Sequence, residues 1–265
     1  MSHMVLTIDI GNSTIVFGLF HESGELLFRS ALESLHSKTA DQWAIDLNGV
    51  FQLYDYQPHK VKGAIMSSVV PPATGTLFHA VVKVTGKEPI IVSPELKSGM
   101  SMYNNMKNQL GSDIIANCVA ALHKYEGPML VIDMGTATTV SLLDDKGVYY
   151  GIFIIPGMGT MLEALSQRAA QLPFISIDLP EAPPILGTNT VDAMQGGILY
   201  GNAALLDGII ERIEQVHGSV KTVVTTGGNA RFVVKYCKRE IQNDQHLLLE
   251  GLFQLYKLNG GGNTI

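Results

Sequence analysis

A short polar turn that closes an apolar strand occurs twice in this chain, once in each half, and it limits the possible folds more than any other feature. The first copy is Leu6-Thr7-Ile8-Asp9-Ile10-Gly11-Asn12-Ser13-Thr14 and the second is Val131-Ile132-Asp133-Met134-Gly135-Thr136-Ala137-Thr138-Thr139. Each has an Asp at the strand end, one residue, a Gly, and then hydroxyl or amide side chains. Each continues into a second β-rich run, at 15–20 and 140–143. The pattern predicts a β-hairpin with a polar turn. The turn chemistry suits phosphate: Gly lets a phosphate approach the backbone, and successive N–H groups and hydroxyls donate to its oxygens. The Asp adds a carboxylate that can hold Mg²⁺, directly or through water. A lone Asp-x-Gly is a common plain turn. Two copies, one per half, predict a duplicated domain with a cleft between the copies.

The flanking pattern repeats as well. In the first half, residues 5–9, 15–20 and 25–29 read as strands, with His21-Glu22-Ser23-Gly24 as a hairpin loop. A helix is predicted over 39–54, where Trp43, Leu47, Val50, Phe51 and Tyr54 fall at helical spacing and Trp43 reads as a core anchor. A strand at 61–67, a helix opened by Pro72 and a short strand at 89–92 follow. Residues 97–110 form a polar, Met-rich connection, and its length points to function. Gly111-Ser112-Asp113 opens a helix to about 125, with Ser112 as a cap and Asp113 in the first turn, where an acid also favours the helix dipole. Gly127-Pro128 separates the halves.

The second half gives strands at 129–133, 139–143 and 148–155, then a helix after Pro156-Gly157-Met158-Gly159. A Pro-rich loop covers 171–184. A long helix spans about 190–216, and its Gly196, Gly197 and Gly201 predict close packing against a neighbour. A strand at 221–226 turns through Gly227-Gly228-Asn229-Ala230 into a short helix, and a last helix covers 247–258. Residues 259–265 are Gly-rich and read as a frayed end, and Met1-Ser2-His3 reads as a cloning remnant before a natural start at Met4. The expected domains are 4–127 and 128–265.

Composition closes off other classes. A hydrophobic content of 46% with 16% charged residues describes a well-buried globular chain. A net charge of −6 leaves no electrostatic footprint for nucleic acid. No apolar run approaches the ~20 residues of a membrane span, and no signal peptide precedes Met4. Cys118 and Cys237 make neither a disulfide framework nor a zinc site, so a cytoplasmic protein is expected. The P-loop, the Rossmann fingerprint, the zincin motif and the nucleophile elbow are all missing.

The two turns, with Thr225-Thr226-Gly227-Gly228-Asn229, resemble the acetate/sugar kinase, heat-shock-70 and actin superfamily. That resemblance implies an α/β fold of two duplicated ribonuclease-H-like (actin-like ATPase) domains with ATP bound between them. Within it the chain is similar to the type III pantothenate kinases from Asp9 to Gly251. The matching stretches are Asp9-Ile10-Gly11-Asn12-Ser13, Asp133-Met134-Gly135-Thr136-Ala137-Thr138-Thr139, Gly151 with Ile154-Ile155-Pro156-Gly157, Thr190 with Met194 and Gly197, and Leu249-Glu250-Gly251-Leu252.

The resemblance implies ATP-dependent phosphorylation of pantothenate, the first step of coenzyme A synthesis, by a homodimer. It implies Asp113 as catalytic base. ATP phosphates would be held by Asp9, through Mg²⁺, and by Gly11, Asn12, Ser13, Thr14, Gly135 and Thr136, with the nucleoside near Gly227 and Gly228. Asp133 would help bind K⁺ or NH₄⁺. Tyr103, Gly111 and Ser112 would border pantothenate, and Thr190 would reach it from the partner subunit. One departure stands out. The family signature G-x-D-R reads Gly111-Ser112-Asp113-Ile114 here, so the arginine that helps bind the substrate's carboxylate side is replaced. Lys107 and Arg168 are candidate substitutes. Two other readings remain open at this point: an ATP-binding paralogue acting on another small alcohol, and a non-catalytic regulatory relative.

Overall fold

The computed structural model describes residues 4–35, 37–103, 110–178 and 182–260. The chain forms two compact units: Met1–His123 with His246–Ile265, and Lys124–Gln245.

In the first unit, β1 (Met4–Ile10), β2 (Thr14–His21) and β3 (Leu26–Glu33) form an antiparallel meander. Helix α1 (Ala40–Leu53) follows, then β4 (Val61–Ser68), α2 (Pro71–Thr85) and β5 (Ile90–Ile91). The strands lie in the order β3-β2-β1-β4-β5, with β4 parallel to β1 and β5 parallel to β4. Alternation along β1 sends Leu6, Ile8 and Ile10 to one face, where they pack with Trp43, Leu47 and Phe51 of α1 and Leu77 and Val81 of α2. Thr39 starts α1 with a capping box: its hydroxyl accepts from Gln42 N–H, and Gln42 Oε1 accepts from Thr39 N–H at 2.8 Å. Pro71 and Pro72 open α2, and Gly86 closes it in the left-handed region at φ +69°.

The opposite face of this sheet carries α7 (Leu247–Asn259), which packs on β1, β2 and β4. Phe253 stacks on Phe20 with ring centroids 4.9 Å apart. A Cβ at Gly251 would drive into the carbonyl of Ala116 in α3 (Ser112–Lys124), so Gly251 permits the α3–α7 crossing. Sequence order groups α7 with the second half, but packing puts it in the first unit. The reason is the apolar face of α7, whose Leu249, Leu252, Phe253 and Leu255 are buried. A two-residue strand, β6 (Ser101–Met102), precedes α3.

In the second unit, β7 (Met129–Met134), β8 (Ala137–Leu143) and β9 (Val148–Pro156) repeat the antiparallel meander. Helices α4 (Met158–Arg168) and α5 (Thr190–His217) follow, then β10 (Thr222–Thr226), α6 (Ala230–Val233) and β11 (Gln242–Asn243). Strands β9-β8-β7-β10-β11 are consecutive neighbours, with β10 parallel to β7 and β11 parallel to β10. This matches the order β3-β2-β1-β4-β5, so the doubled turn belongs to a doubled topology. Leu130, Ile132 and Met134 face Leu199, Leu206 and Ile210 of α5. Asn189 caps α5 by accepting from Asp192 N–H at 3.0 Å.

Two details differ from the sequence reading. Strands β2 and β8 begin at Thr14 and Ala137, so the polar turns are shorter than the motifs suggest. Strand β11, at two residues, is too short for any periodicity to reveal.

Candidate active site

In the first unit the site grows from the β1–β2 turn and the end of β4. Gly11 N–H donates to Thr14 O at 3.0 Å, which closes the turn and leaves Asn12, Ser13 and Thr14 exposed. Parallel pairing sets Asp9 opposite Ser67 and Ile10 opposite Ser68. Ser67 Oγ donates to Asp9 Oδ1. Ser112 Oγ accepts from Ser68 N–H at 3.0 Å and donates to Ser68 O at 3.1 Å. These bonds fasten the first residue of α3 to the same strand end that holds Asp9.

Asp113 comes next in the chain. Burial pushes its carboxyl above the ordinary carboxylate value, although hydrogen bonds from the Ile114 and Asp113 N–H groups pull the other way. Ile114 N–H donates to Oδ1 at 2.9 Å. Gly111 leaves room for this carboxylate, because a Cβ there would press on Asp113 Oδ1 and displace it. The result is a desolvated carboxylate of raised basicity, steadied by backbone N–H groups. Ser112 was expected to cap α3. Its hydroxyl faces β4 instead, and Gly111 supplies the carbonyl that accepts from Ile115 N–H at 3.1 Å.

In the second unit three segments meet around the β7–β8 turn. Gly135 N–H donates to Ala137 O at 3.0 Å. Thr136 O accepts from Gly157 N–H at 3.0 Å and from Thr160 Oγ1 at 2.8 Å. Asn229 N–H donates to Met134 O at 3.2 Å, and Asn229 Nδ2 donates to Gly135 O at 3.4 Å. Gly227 has φ +89°, and a Cβ on it would stand 2.6 Å from Asp133 Oδ1. Only glycine meets both conditions. Gly135, Thr136, Asp133 and Gly227 therefore form one constellation, while a side chain at Gly228 would meet nothing within 4 Å.

The remaining expected site residues are more scattered. Tyr103 is 65% exposed. The loop residues Asn104 and Asn105 and the candidate cation Lys107 lie outside the described residues. Arg168 ends α4. Thr190 is the first residue of α5 and lines an open, largely apolar groove with Leu165, Leu172, Met194 and Gly197. Sequence reasoning missed Ser67, Ser68 and Thr160 as parts of the site. The pairing of β1 with β4 brings the two serines to the first turn, and the pairing of β8 with β9 carries Thr160, at the start of α4, to the second.

The described residues hold no cluster of three or more His, Cys, Asp or Glu side chains able to cage a metal. One carboxylate beside a phosphate turn suits Mg²⁺ that arrives with nucleotide, because Mg²⁺ keeps waters and takes phosphate oxygens as its other ligands. Cys237 takes no part in such chemistry: burial, then the nearby Asp207 charge, push its thiol up to about 12. Among the described residues no helix is long and apolar enough to cross a membrane.

Paired hairpin turns on duplicated ribonuclease-H-like units define an actin-like ATPase fold. A dehydratase activator from Clostridium difficile, solved with bound ADPNP, shares this fold at a TM-score of 0.56 and 17% identity, with 97% of this chain and 94% of that one covered. The type III pantothenate kinase family model matches residues 5–212. Type III pantothenate kinases of Brevibacillus brevis and an Exiguobacterium strain are 39% and 37% identical to this chain, covering 97% of it and 99% of each relative. The chain belongs to the type III pantothenate kinase family, an ATP- and divalent-metal-dependent family of kinases.

Proposed function

We propose that this chain transfers the γ-phosphoryl group of ATP to the primary hydroxyl of pantothenate, giving 4'-phosphopantothenate and ADP, the first step of coenzyme A biosynthesis. The observation that carries this reading is the desolvated Asp113 carboxylate, next in the chain to Ser112, which is fastened to the strand end that also holds Asp9. Asp113 accepts the hydroxyl proton as the substrate oxygen attacks phosphorus in line. Proton transfer late in a loose transition state needs only modest basicity, and burial supplies more than an ordinary carboxylate has. Asp9 would hold Mg²⁺, which when bound neutralises charge on the phosphate oxygens. Asn12, Ser13, Thr14 and Thr136 would donate to phosphate, Gly11 and Gly135, whose own N–H groups close the turns, would let it approach the backbone, and the Gly227-Gly228 turn would take the nucleoside side.

The finer assignments belong to the same reading. Asp133 helps bind K⁺ or NH₄⁺. Tyr103, Gly111 and Ser112 border pantothenate, Ser112 by holding Gly111 and Asp113 in place. The active form is a cytoplasmic homodimer in which Thr190 reaches the partner's substrate. Support for the dimer comes from the second unit's exposed apolar side chains: Phe174, Ile185 and Leu186 are all more than 70% exposed. Gly197 and Gly201 also present open helix surface, since a Cβ on either would meet nothing within 4 Å.

Ile114 favours a second reading, in which another small alcohol is the acceptor. Phosphorus NMR of reactions containing ATP, Mg²⁺ and K⁺ with a panel of small alcohols separates the two. The proposal expects a new phosphate monoester with pantothenate. A monoester formed only with another alcohol would reject it.

A further inference from the structure

The end of β4 bonds the Asp9 carboxylate directly and bonds Ser112, the residue before Asp113, yet the proposed reaction gives Ser67 no task. Ser67 is fully buried, and its strand neighbours Ile65 and Met66 are fully buried apolar residues. A hydroxyl in such a place is costly unless it is hydrogen-bonded. Here the partner is the Asp9 carboxylate, across the parallel β1–β4 pair. A hydrogen bond to an ionised acceptor is stronger and more directional than one between neutral groups.

The bond engages Oδ1 and fixes the rotation of the carboxylate about its own axis. Ser68, the next residue, makes the reciprocal pair of bonds with Ser112. Its own hydroxyl is held by Thr74 Oγ1 at 2.7 Å, and it accepts from Val70 N–H at 3.1 Å. Ser67 is therefore anchored to a strand end that cannot rotate freely.

We infer that Ser67 is a positioning residue that acts through Asp9, holding its carboxylate in the one orientation that receives the Mg²⁺ of bound nucleotide. The inference rests on the reading of Asp9 as the Mg²⁺ carboxylate.

The test is calorimetric binding of ADP to the full chain, once with saturating Mg²⁺ and once in EDTA, for the parent protein, Ser67→Ala, Ser67→Thr and Asp9→Asn. Loss of a group that orients a metal ligand is expected to weaken Mg²⁺-dependent ADP binding by about 10- to 100-fold while leaving binding in EDTA essentially unchanged. Ser67→Thr, which keeps the hydroxyl, should recover most of the loss. Equal weakening with and without Mg²⁺, or no weakening in a folded Ser67→Ala protein, would overturn the inference. Melting curves report folding. Should Ser67→Ala not fold, Ser67→Cys keeps the volume with a weak donor and is read in the same way. If Asp9→Asn itself leaves the Mg²⁺ dependence intact, the assignment of Asp9 has failed, and the Ser67 inference falls with it.

Discussion

Replacing Asp113 by Asn should raise stability and abolish turnover together. The carboxylate sits where burial outweighs the backbone N–H groups that favour its charge, so its pKa in the folded protein lies above the unfolded value. The sign follows from linkage. A raised native pKa means the folded state binds the proton more tightly, so stability is greatest below the unfolded value. It is lost as pH rises through the folded value. At neutral pH the ionised Asp113 is therefore a net cost to the fold, even though an acid in a helix's first turn is worth ~0.3–1 kcal/mol by itself.

Asn keeps an acceptor for Ile114 N–H and carries no charge. Each kcal/mol of relief corresponds to a melting-temperature rise of roughly 2–4 °C for a chain of this size. Loss of a general base should cut kcat by about 10²- to 10⁴-fold. The assay pairs melting curves at neutral pH and near pH 3.5 with initial rates of ADP release. The stabilisation should be present at neutral pH and shrink in acid. A variant that melts lower than the parent at neutral pH and turns over normally would make Asp113 a simple helix-start acid and refute the reasoning.

Four further outcomes are expected. The acid limb of kcat/KM against pH should fall at a higher pH than an ordinary carboxylate gives, because the base must be deprotonated and burial has raised its pKa. Ile114→Arg should lower the pantothenate KM by roughly ten- to a hundredfold through a charged hydrogen bond to the substrate carboxylate, with little change in the KM for ATP. Gly251→Ala should lower the melting temperature sharply, since its Cβ has no room beside the Ala116 carbonyl. Thr190→Ala and Asp113→Asn protomers, each impaired alone, should regain rate when unfolded and refolded together if Thr190 serves the partner's site. A mixture as slow as its parts would contradict that assignment.

Much of this was legible before any coordinates. Alternating apolar residues and the Asp-x-Gly turns located β1, β2, β7 and β8, and the repeated element order pointed to the duplicated sheet. Asp113 could be singled out only by resemblance, because an acid at a helix start has an ordinary electrostatic explanation. Its burial is a tertiary property. Ser67 and Thr160 could not be read, because each reaches its turn across a strand pair whose partner is far away in sequence. The placement of α7 was misread for a related reason: its apolar face is visible in sequence, but the sheet that covers it is not.

The proposed reaction requires pantothenate to be the acceptor despite Ile114. The decisive measurement is the initial rate of ADP release as a function of pantothenate concentration, at saturating ATP, Mg²⁺ and K⁺, with the organic product identified by mass. Saturable release is expected, matched mole for mole by pantothenate carrying one phosphoryl group, with a lower rate when Na⁺ replaces K⁺. ADP release that ignores pantothenate, with no phosphorylated product at saturating substrate, would contradict it.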